Sequence, residues 1–571
     1  MGALTQLVDN LAVGFGAALA PLNLLLGMAA AIVQNELFDV QFLKTTTTGF
    51  NEVRDALSRV DTSEMASRCG LAPAAVTSLA SDFAEAPSAS VMFDLGVEQT
   101  PFSTLVSYLI RLVLCLTGNL GNPGGSHFME AFLPATLSAN RHREPERALV
   151  SGIQAIRALG NFEMFSPTLA PEEILTDHPE RIRAFIVEGA NPLISYSDTK
   201  RWREAFEKLD LLVVIDPAFT ESARMADYVL PVPVGYEKWE ISNFPKRHPQ
   251  IDVQLRPPVV PAPSDTLPEP EIYVRLLEAM GLVEAVPEEL AAVVVDDTAA
   301  SRMAFMAKAL ELVAEPVSRG IDGETQVLVW AYRTVGRYLP APSLVAVWAI
   351  CQTNGAERPE AILRTLGQQW SQASPMELGE EIFRLIMENP GGVEIARLDE
   401  ANNLADHIGF DDKLIRLAPP PMLEELERAI KTTPRRDPDY PMVLANGLRT
   451  RWTANTIHRD PAWRRGRGPH CALQLNPDDA GDLGVNDGDT VRLQTRRGSA
   501  ELPAQLDKRM MRGHVSMPNG FGMQYDNNGE IETLGVNMNE LTDVADRDPF
   551  TGCPHHRYVP CRVELVDGAT A

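Results

Sequence analysis

A mixed α/β chain, with a dinucleotide-binding-like parallel sheet ahead of a carboxyl-terminal six-stranded β-barrel, is the architecture these 571 residues predict. Two stretches carry that prediction. The first, FIVEGANPLISYSDTKRWREAFEKLDLLVVIDPAFTESARMADYVLP from Phe185 to Pro231, sets a helical period between two continuous apolar runs, the signature of buried parallel strands around a crossover helix. The second begins near residue 440, where the chain turns to short strands punctuated by turns.

Taken in order, the amino-terminal stretch reads as helices with one strand. No charge occurs between Asn10 and Asn35, but Pro21, Asn23 and three glycines make a poor membrane span. No basic residue precedes it, as a secretory signal would require, so Leu24 to Val33 is expected as a buried helix. Further helices are expected near Asn51–Val60, Pro73–Glu85 and Thr104–Thr117, with a short strand at Val91–Leu95. Gly118-Asn119-Leu120-Gly121-Asn122-Pro123-Gly124-Gly125 then forces sharp bends, as a surface loop or as backbone lying against something bulky. His127, which follows, is read as structural.

The β-α-β unit comprises a strand at Phe185–Val187, the loop Glu188-Gly189-Ala190-Asn191-Pro192, a helix from Asp198 to Lys208 and a strand at Leu211–Ile215. Ligands of such units bind at the carboxyl ends of the strands, where Gly189, Asn191 and Asp216 stand. Asn191 donates and accepts, and Asp216 suits ribose hydroxyls or a guanine edge. A generic α/β turn with capping residues accounts for the same spacing. A helix from Pro270 to Met280 closes the unit, and 284–435 alternates helical patterns with proline-rich joints, without recognisable chemistry. In the last part, Asn476 caps a one-turn helix stopped by Gly484, and Val491–Thr495 pairs with Ala500–Leu506 across Arg496-Arg497-Gly498-Ser499, a pattern of closed barrels.

Composition narrows the function. A net charge of -26 argues against nucleic acid as a partner. Six scattered cysteines without a C-x-x-C pair fit a reducing compartment. Cys553-Pro554-His555-His556 with Cys561 has metal-capable atoms but no ligand spacing, so it reads as a turn, and no metal site is assigned. Arg449, Arg451, Arg459, Arg464, Arg465 and Arg467 crowd into nineteen residues of an acidic protein. Clustered guanidinium groups suit a diphosphate or, equally, a docking surface for a partner subunit.

In combination, GANP, VVIDPAFTESARMADYVLP and LNPDDAGDLGVNDGDTVRL resemble the bis-molybdopterin guanine dinucleotide oxidoreductases, the group of dimethyl sulfoxide reductases, periplasmic nitrate reductases and formate dehydrogenases. TTTTGFNEVRDAL, the Cys69-Gly70 turn and TGNLGNPGGSHF extend the likeness over most of the chain except about 284–435. The resemblance implies a partial α/β molybdopterin domain over 1–128, an α/β dinucleotide-binding-like domain over 129–283, a mainly helical insertion over 284–435 and a double-psi-type barrel for the molybdopterin dinucleotide over 436–571. It implies that Asn191, Ile215, Asp216 and Glu271 face a guanine nucleotide, and that Asn446, Gly447, Arg449, Asn455 and Thr456 wrap the pterin and its diphosphate. Phe521, Asn539 and Arg557 match positions that close over the cofactor.

The implied cofactor is molybdopterin guanine dinucleotide with molybdenum or tungsten. The family's four-cysteine segment for an iron-sulfur cluster and its metal ligand have no counterpart here, so no cluster is expected in this chain and no catalytic residue is assigned. The sequence reads as the carboxyl-terminal two-thirds or so of an enzyme, an amino-terminally truncated form. A small-molecule substrate, an electron-transfer subunit or a separate amino-terminal lobe are the expected partners, without a membrane span, in the cytoplasm. The competing expectation is a non-catalytic relative that binds a dinucleotide or a partner chain without turnover.

Overall fold

A computed structural model describes residues 20–133, 149–153, 156–157, 163–242, 247–432, 437–449, 460, 471–527 and 529–566. The first lobe is helical. Helix α1 (Ala20–Gln34), rich in Leu and Ala, is buried on nearly every face and packs on α3 (Pro73–Glu85) and α4 (Ser103–Leu116), with α2 (Phe50–Leu57) beside it. That all-round burial explains its uncharged sequence. Among the described residues no helix is long and apolar enough to cross a membrane.

The strand expected at Val91–Leu95 does not form. Met92 is almost fully exposed, so the run has no neighbouring strand to cover it, and Asp94 instead caps a helical turn at Leu95–Glu98 by accepting from the Leu95 amide at 2.7 Å. The residues Thr47–Thr48 pair in parallel with Ile415–Arg416, and Leu417, Leu426 and Ala429 complete the first core. Residues 415–429 therefore pack on the first lobe.

The central sheet is parallel, in the order β1 (Ala184–Glu188), β2 (Leu211–Ile215) and β3 (Tyr228–Leu230). Between β1 and β2, helix α5 (Thr199–Lys208) lays Trp202 and Phe206 against Val187, Leu212 and Val214, and Asp198 caps it by accepting from the Arg201 amide at 3.0 Å. Strands β4 (Glu240–Ser242) and β5 (Gln250–Arg256) form an antiparallel sheet with β6 (Val393–Arg397), and helix α6 (Glu269–Ala279) packs Ile272 on Ile215. The helical lobe includes α7 (Leu344–Glu357), α8 (Pro375–Glu388) and α9 (Asn403–His407).

Helices α7 and α8 approach at Gly355, where a Cβ would lie 2.1 Å from the Pro375 carbonyl oxygen and 2.9 Å from the Gly379 amide nitrogen. Backbone cannot yield as a side-chain tip can. Gly355→Ala should therefore cost about 1–3 kcal/mol by overpacking, read as a lowered urea midpoint at unchanged slope.

The carboxyl-terminal region is a closed six-stranded barrel. Strands β7 (Met442–Leu448), β8 (Leu473–Leu475), β9 (Thr490–Thr495), β10 (Ser499–Leu506), β11 (His514–Pro518) and β14 (Val559–Leu565) run β7-β11-β8-β10-β9-β14, with β14 closing on β7. The β7–β11 and β8–β10 pairs are parallel and the other four antiparallel. Alternating side chains of β9 point Val491 and Leu493 inward onto Leu444, Leu475, Val515 and Cys561. Asn476 and Gly484 bound the short helix Pro477–Leu483 as the sequence requires. A separate hairpin, β12 (Met523–Asn527) and β13 (Glu530–Leu534), leaves the barrel wall.

Candidate functional site

The tips of the parallel strands meet the barrel. Gly189, with φ of +56°, turns the chain after β1 so that its amide donates to the Ile215 carbonyl of β2 at 3.0 Å. Asn191 is buried, its Nδ2 donating to Glu221 Oε2 at 2.6 Å and its Oδ1 accepting from the Ser222 hydroxyl at 2.8 Å. The other Glu221 oxygen accepts from the Gln524 amide of β12 at 2.5 Å. One carboxylate thus joins a strand tip to the barrel domain.

More contacts fix the same junction. Asn537 Nδ2 donates to the Leu193 carbonyl at 2.8 Å and Asn539 Nδ2 to that of Ile194 at 2.7 Å, while Arg497 clamps Asp198 at 2.5 Å. Buried His556 shares a hydrogen bond of 2.6 Å with the Ser197 hydroxyl through its Nε2. From the first lobe, Ser103 and Thr104 at the start of α4 donate to the Asp548 carboxylate. Burial works to raise the Asp548 pKa, but the hydrogen bonds from Thr551, Thr104 and Phe550 hold it below the usual carboxylate range.

A Glu221→Gln change tests the junction. Glutamine offers one acceptor oxygen where the carboxylate accepts two donors, so one donor faces an amide N–H₂ group. The expected loss is about 1–3 kcal/mol of unfolding free energy, the usual range for a broken buried polar pair, measured by urea titration.

At the barrel mouth stand groups that the protein leaves incomplete. Asn446 on β7 is wholly buried, its backbone amide donating to the His556 carbonyl at 2.8 Å and its carbonyl accepting from Arg557, yet among the described residues neither side-chain polar atom has a hydrogen-bond partner. Asn519 Oδ1 and Arg557 Nε are likewise buried without hydrogen-bond partners among the described residues. Gly447, at φ of +83°, passes so close to Arg557 that a Cβ would lie 3.5 Å from its guanidinium. Burial, and then the neighbouring Arg449, push the Arg557 pKa down, with Asp94 opposing them. Among the described residues neither arginine forms an ion pair. Two neighbouring guanidinium groups beside unsatisfied amides have the chemistry to hold an anion with hydrogen-bonding edges.

The residues singled out in the sequence divide into three sets. Asn446, Gly447, Arg449 and Arg557 come together at the barrel mouth. Asn191, Asp216 and Asn539 are engaged by protein: Asp216 accepts from the Ala218 amide at 2.7 Å, and Asn539 bridges to Ile194. Ile215 is core and buried Phe521 packs beside Gly535, as judged from the Cβ position there. Glu271 is held by Arg333 at 2.9 Å and Arg275 at 2.6 Å, although its helix reaches the strand tips through the Tyr273 hydroxyl, which donates to Glu188. Asn455, Thr456, Arg451, Arg459, Arg464, Arg465 and Arg467 lie outside the described residues. Glu221, Asn519, Asn537, Asp94 and His556 were not anticipated, since their roles depend on which segments the fold brings together.

Known proteins resemble this chain along most of its length. Residues 22–279 match the family model for molybdopterin oxidoreductase, and residues 443–560 match that for the molydopterin dinucleotide binding domain. The chain is 24% identical over 554 residues to the F420-dependent formate dehydrogenase 2 subunit alpha of Methanococcus maripaludis, covering 94% of this chain and 67% of that one. It is 22% identical to the trimethylamine-N-oxide reductase of Haemophilus influenzae, covering 92% of this chain and 61% of that protein. The acetylene hydratase structure from Pelobacter acetylenicus superposes with a TM-score of 0.63 at 18% identity, over 97% of this chain and 70% of that one, a likeness of fold.

Proposed function

Because the chain belongs to the dimethyl sulfoxide reductase family of molybdopterin oxidoreductases, we propose that it binds a molybdopterin guanine dinucleotide carrying molybdenum or tungsten and serves oxidoreduction of a small substrate. When bound, such a group supplies a metal held by pterin dithiolenes that exchanges oxygen atoms or hydride equivalents and electrons with substrate. The observation that carries the reading is the unmatched set at the barrel mouth, Arg557 and Arg449 beside the side chains of Asn446 and Asn519.

Each of these residues has a task in that reading. Arg557 and Arg449 neutralise the diphosphate, and partial burial strengthens the attraction by limiting water. The amides of Asn446 and Asn519 find the partners the protein denies them, and Gly447 lets the backbone approach. Glu221 and Asn191 hold the strand tips against the barrel domain. An electron-transfer subunit is the proposed partner.

The test is composition. Protein made in a host competent for pterin synthesis should carry on the order of one molybdenum or tungsten per chain, together with guanine nucleotide released by acid. A non-catalytic scaffold would carry no metal. Since one structural neighbour is named a hydratase, turnover with an artificial electron carrier is a separate readout from metal content.

A further inference from the structure

Away from the barrel mouth, a cluster of titratable side chains joins the glycine-rich turn to the helical lobe. The turn is closed by Gly121 N donating to the Ser126 carbonyl at 2.7 Å and Ser126 N donating to that of Asn119 at 2.9 Å. Next in the chain, the His127 ring stacks on the His248 ring, centroids 4.4 Å apart and planes 16° from parallel. Three ring nitrogens, Nδ1 of His127 and both of His248, are buried without hydrogen-bond partners among the described residues. The segment beyond is held by the helical lobe: Asn403 exchanges two hydrogen bonds with the Phe128 backbone, Asn354 and Arg358 donate to the carbonyls of Phe132 and Ala131, and Glu130 pairs with Arg358 and with His407 at 2.9 Å. Most of these bonds are indifferent to mild acid. The stack is not.

We propose that the His127–His248 stack is an acid-operated latch: with at least one ring neutral it ties the glycine-rich turn to the loop before β5, and a second proton drives the rings apart and releases the turn. Two imidazolium rings at this spacing repel, and among the described residues neither forms an ion pair with a carboxylate. The charged groups facing the pair are few. Glu400, exposed at the lobe surface, favours a proton on His248; His407 opposes it, and the pKa of His407 is itself raised by its hydrogen bond to Glu130, with Asp406 nearby. Arg358 is occupied by Glu130, and Arg247 by Asp252 at 3.0 Å. Burial, then His127 and His407, hold the His248 pKa below the ordinary histidine range.

The sign follows by linkage. Once the rings part, water reaches His248 and its pKa returns upward, so the open form binds more protons and gains as pH falls through the ordinary histidine range. The released turn includes Asn119, whose Oδ1 accepts from the Ala89 amide at 2.8 Å, and Gly124, packed against Ser88. Acid would therefore loosen the 88–94 loop that carries Asp94 toward Arg557. The latch does not depend on the proposed redox function.

Hydrogen exchange on the full chain tests it. Protection factors of peptides within 119–133, corrected for intrinsic rates and normalised to barrel peptides from β9 and β10, should fall severalfold between about pH 7.5 and 5.5. His127→Phe keeps an aromatic ring in the stack but cannot take a proton, and should lose that dependence. His127→Gln serves the same purpose if the phenylalanine variant does not fold. A normalised protection that is flat with pH in the unaltered protein, or equally acid-sensitive in the variant, overturns the proposal.

Discussion

Replacing Arg557 with methionine is expected to raise the thermal stability of the cofactor-free protein while abolishing its retention of a guanine dinucleotide. The two effects have opposite signs because the residue is arranged for a ligand. In the protein alone the guanidinium is partly buried, has an unpartnered Nε, faces Arg449 and forms no ion pair among the described residues. Among the described residues its compensations are the bond it donates to the Asn446 carbonyl, worth about 1 kcal/mol, and the attraction of Asp94. An apolar side chain of similar length removes the desolvation and the repulsion, a change that commonly gains about 1–4 kcal/mol when buried charge is replaced. With a diphosphate present the same substitution removes a charge-assisted contact, for which losses of about 2–5 kcal/mol are usual, some 30-fold or more in affinity. Differential scanning calorimetry of cofactor-free protein and guanine content of purified protein are the readouts. A lowered melting temperature with unchanged guanine content would mean that Arg557 merely braces β7.

Much of the fold was legible because its periodicities are local. β2 is a run of five apolar residues and occupies Leu211–Ile215, the limits read from the sequence. The barrel hairpin and the Asn476 cap were readable for the same reason: turn chemistry and alternation are written within a dozen residues. Val91–Leu95 misled because an apolar run becomes a strand only beside another strand, and Asp94 offered a cap instead.

The candidate site was legible only in part. Glycine and arginine at 447, 449 and 557 are recognisable by type, whereas Glu221 gains its role from Gln524, some three hundred residues later. Glu271 shows the converse: its position at the helix start is visible in the sequence, but the competing cation, Arg333, comes from a distant helix. A residue's neighbours across the fold decide whether a polar group is left over for a ligand, and no local pattern encodes that.

Acid should unfasten the barrel from the rest of the molecule before it affects most carboxylates. Burial, opposed by Asp548 in one case and reinforced by Arg557 in the other, pushes the pKa of His555 and of His556 down from 6.5 to about 4. Both rings stay neutral in the folded state, His556 at the Ser197 contact and with its carbonyl bound to the Asn446 amide. Unfolding exposes them to water, where each takes a proton near its ordinary pKa. The unfolded state therefore binds more protons between about pH 6.5 and 4, and stability present above that window is lost as pH falls through it. At about 1.4 kcal/mol per unit the full displacement is of order 3 kcal/mol for each ring. Urea titration at about pH 7.5 and 5 should show a drop of several kcal/mol, and His556→Gln, which keeps a hydrogen bond to Ser197 without titrating, should remove roughly half of it. An undiminished drop in that variant would move the acid sensitivity elsewhere. Because the His556 carbonyl also accepts from the Asn446 amide beside Arg557, any bound dinucleotide should be released over the same interval, its loss preceding the loss of helical circular dichroism.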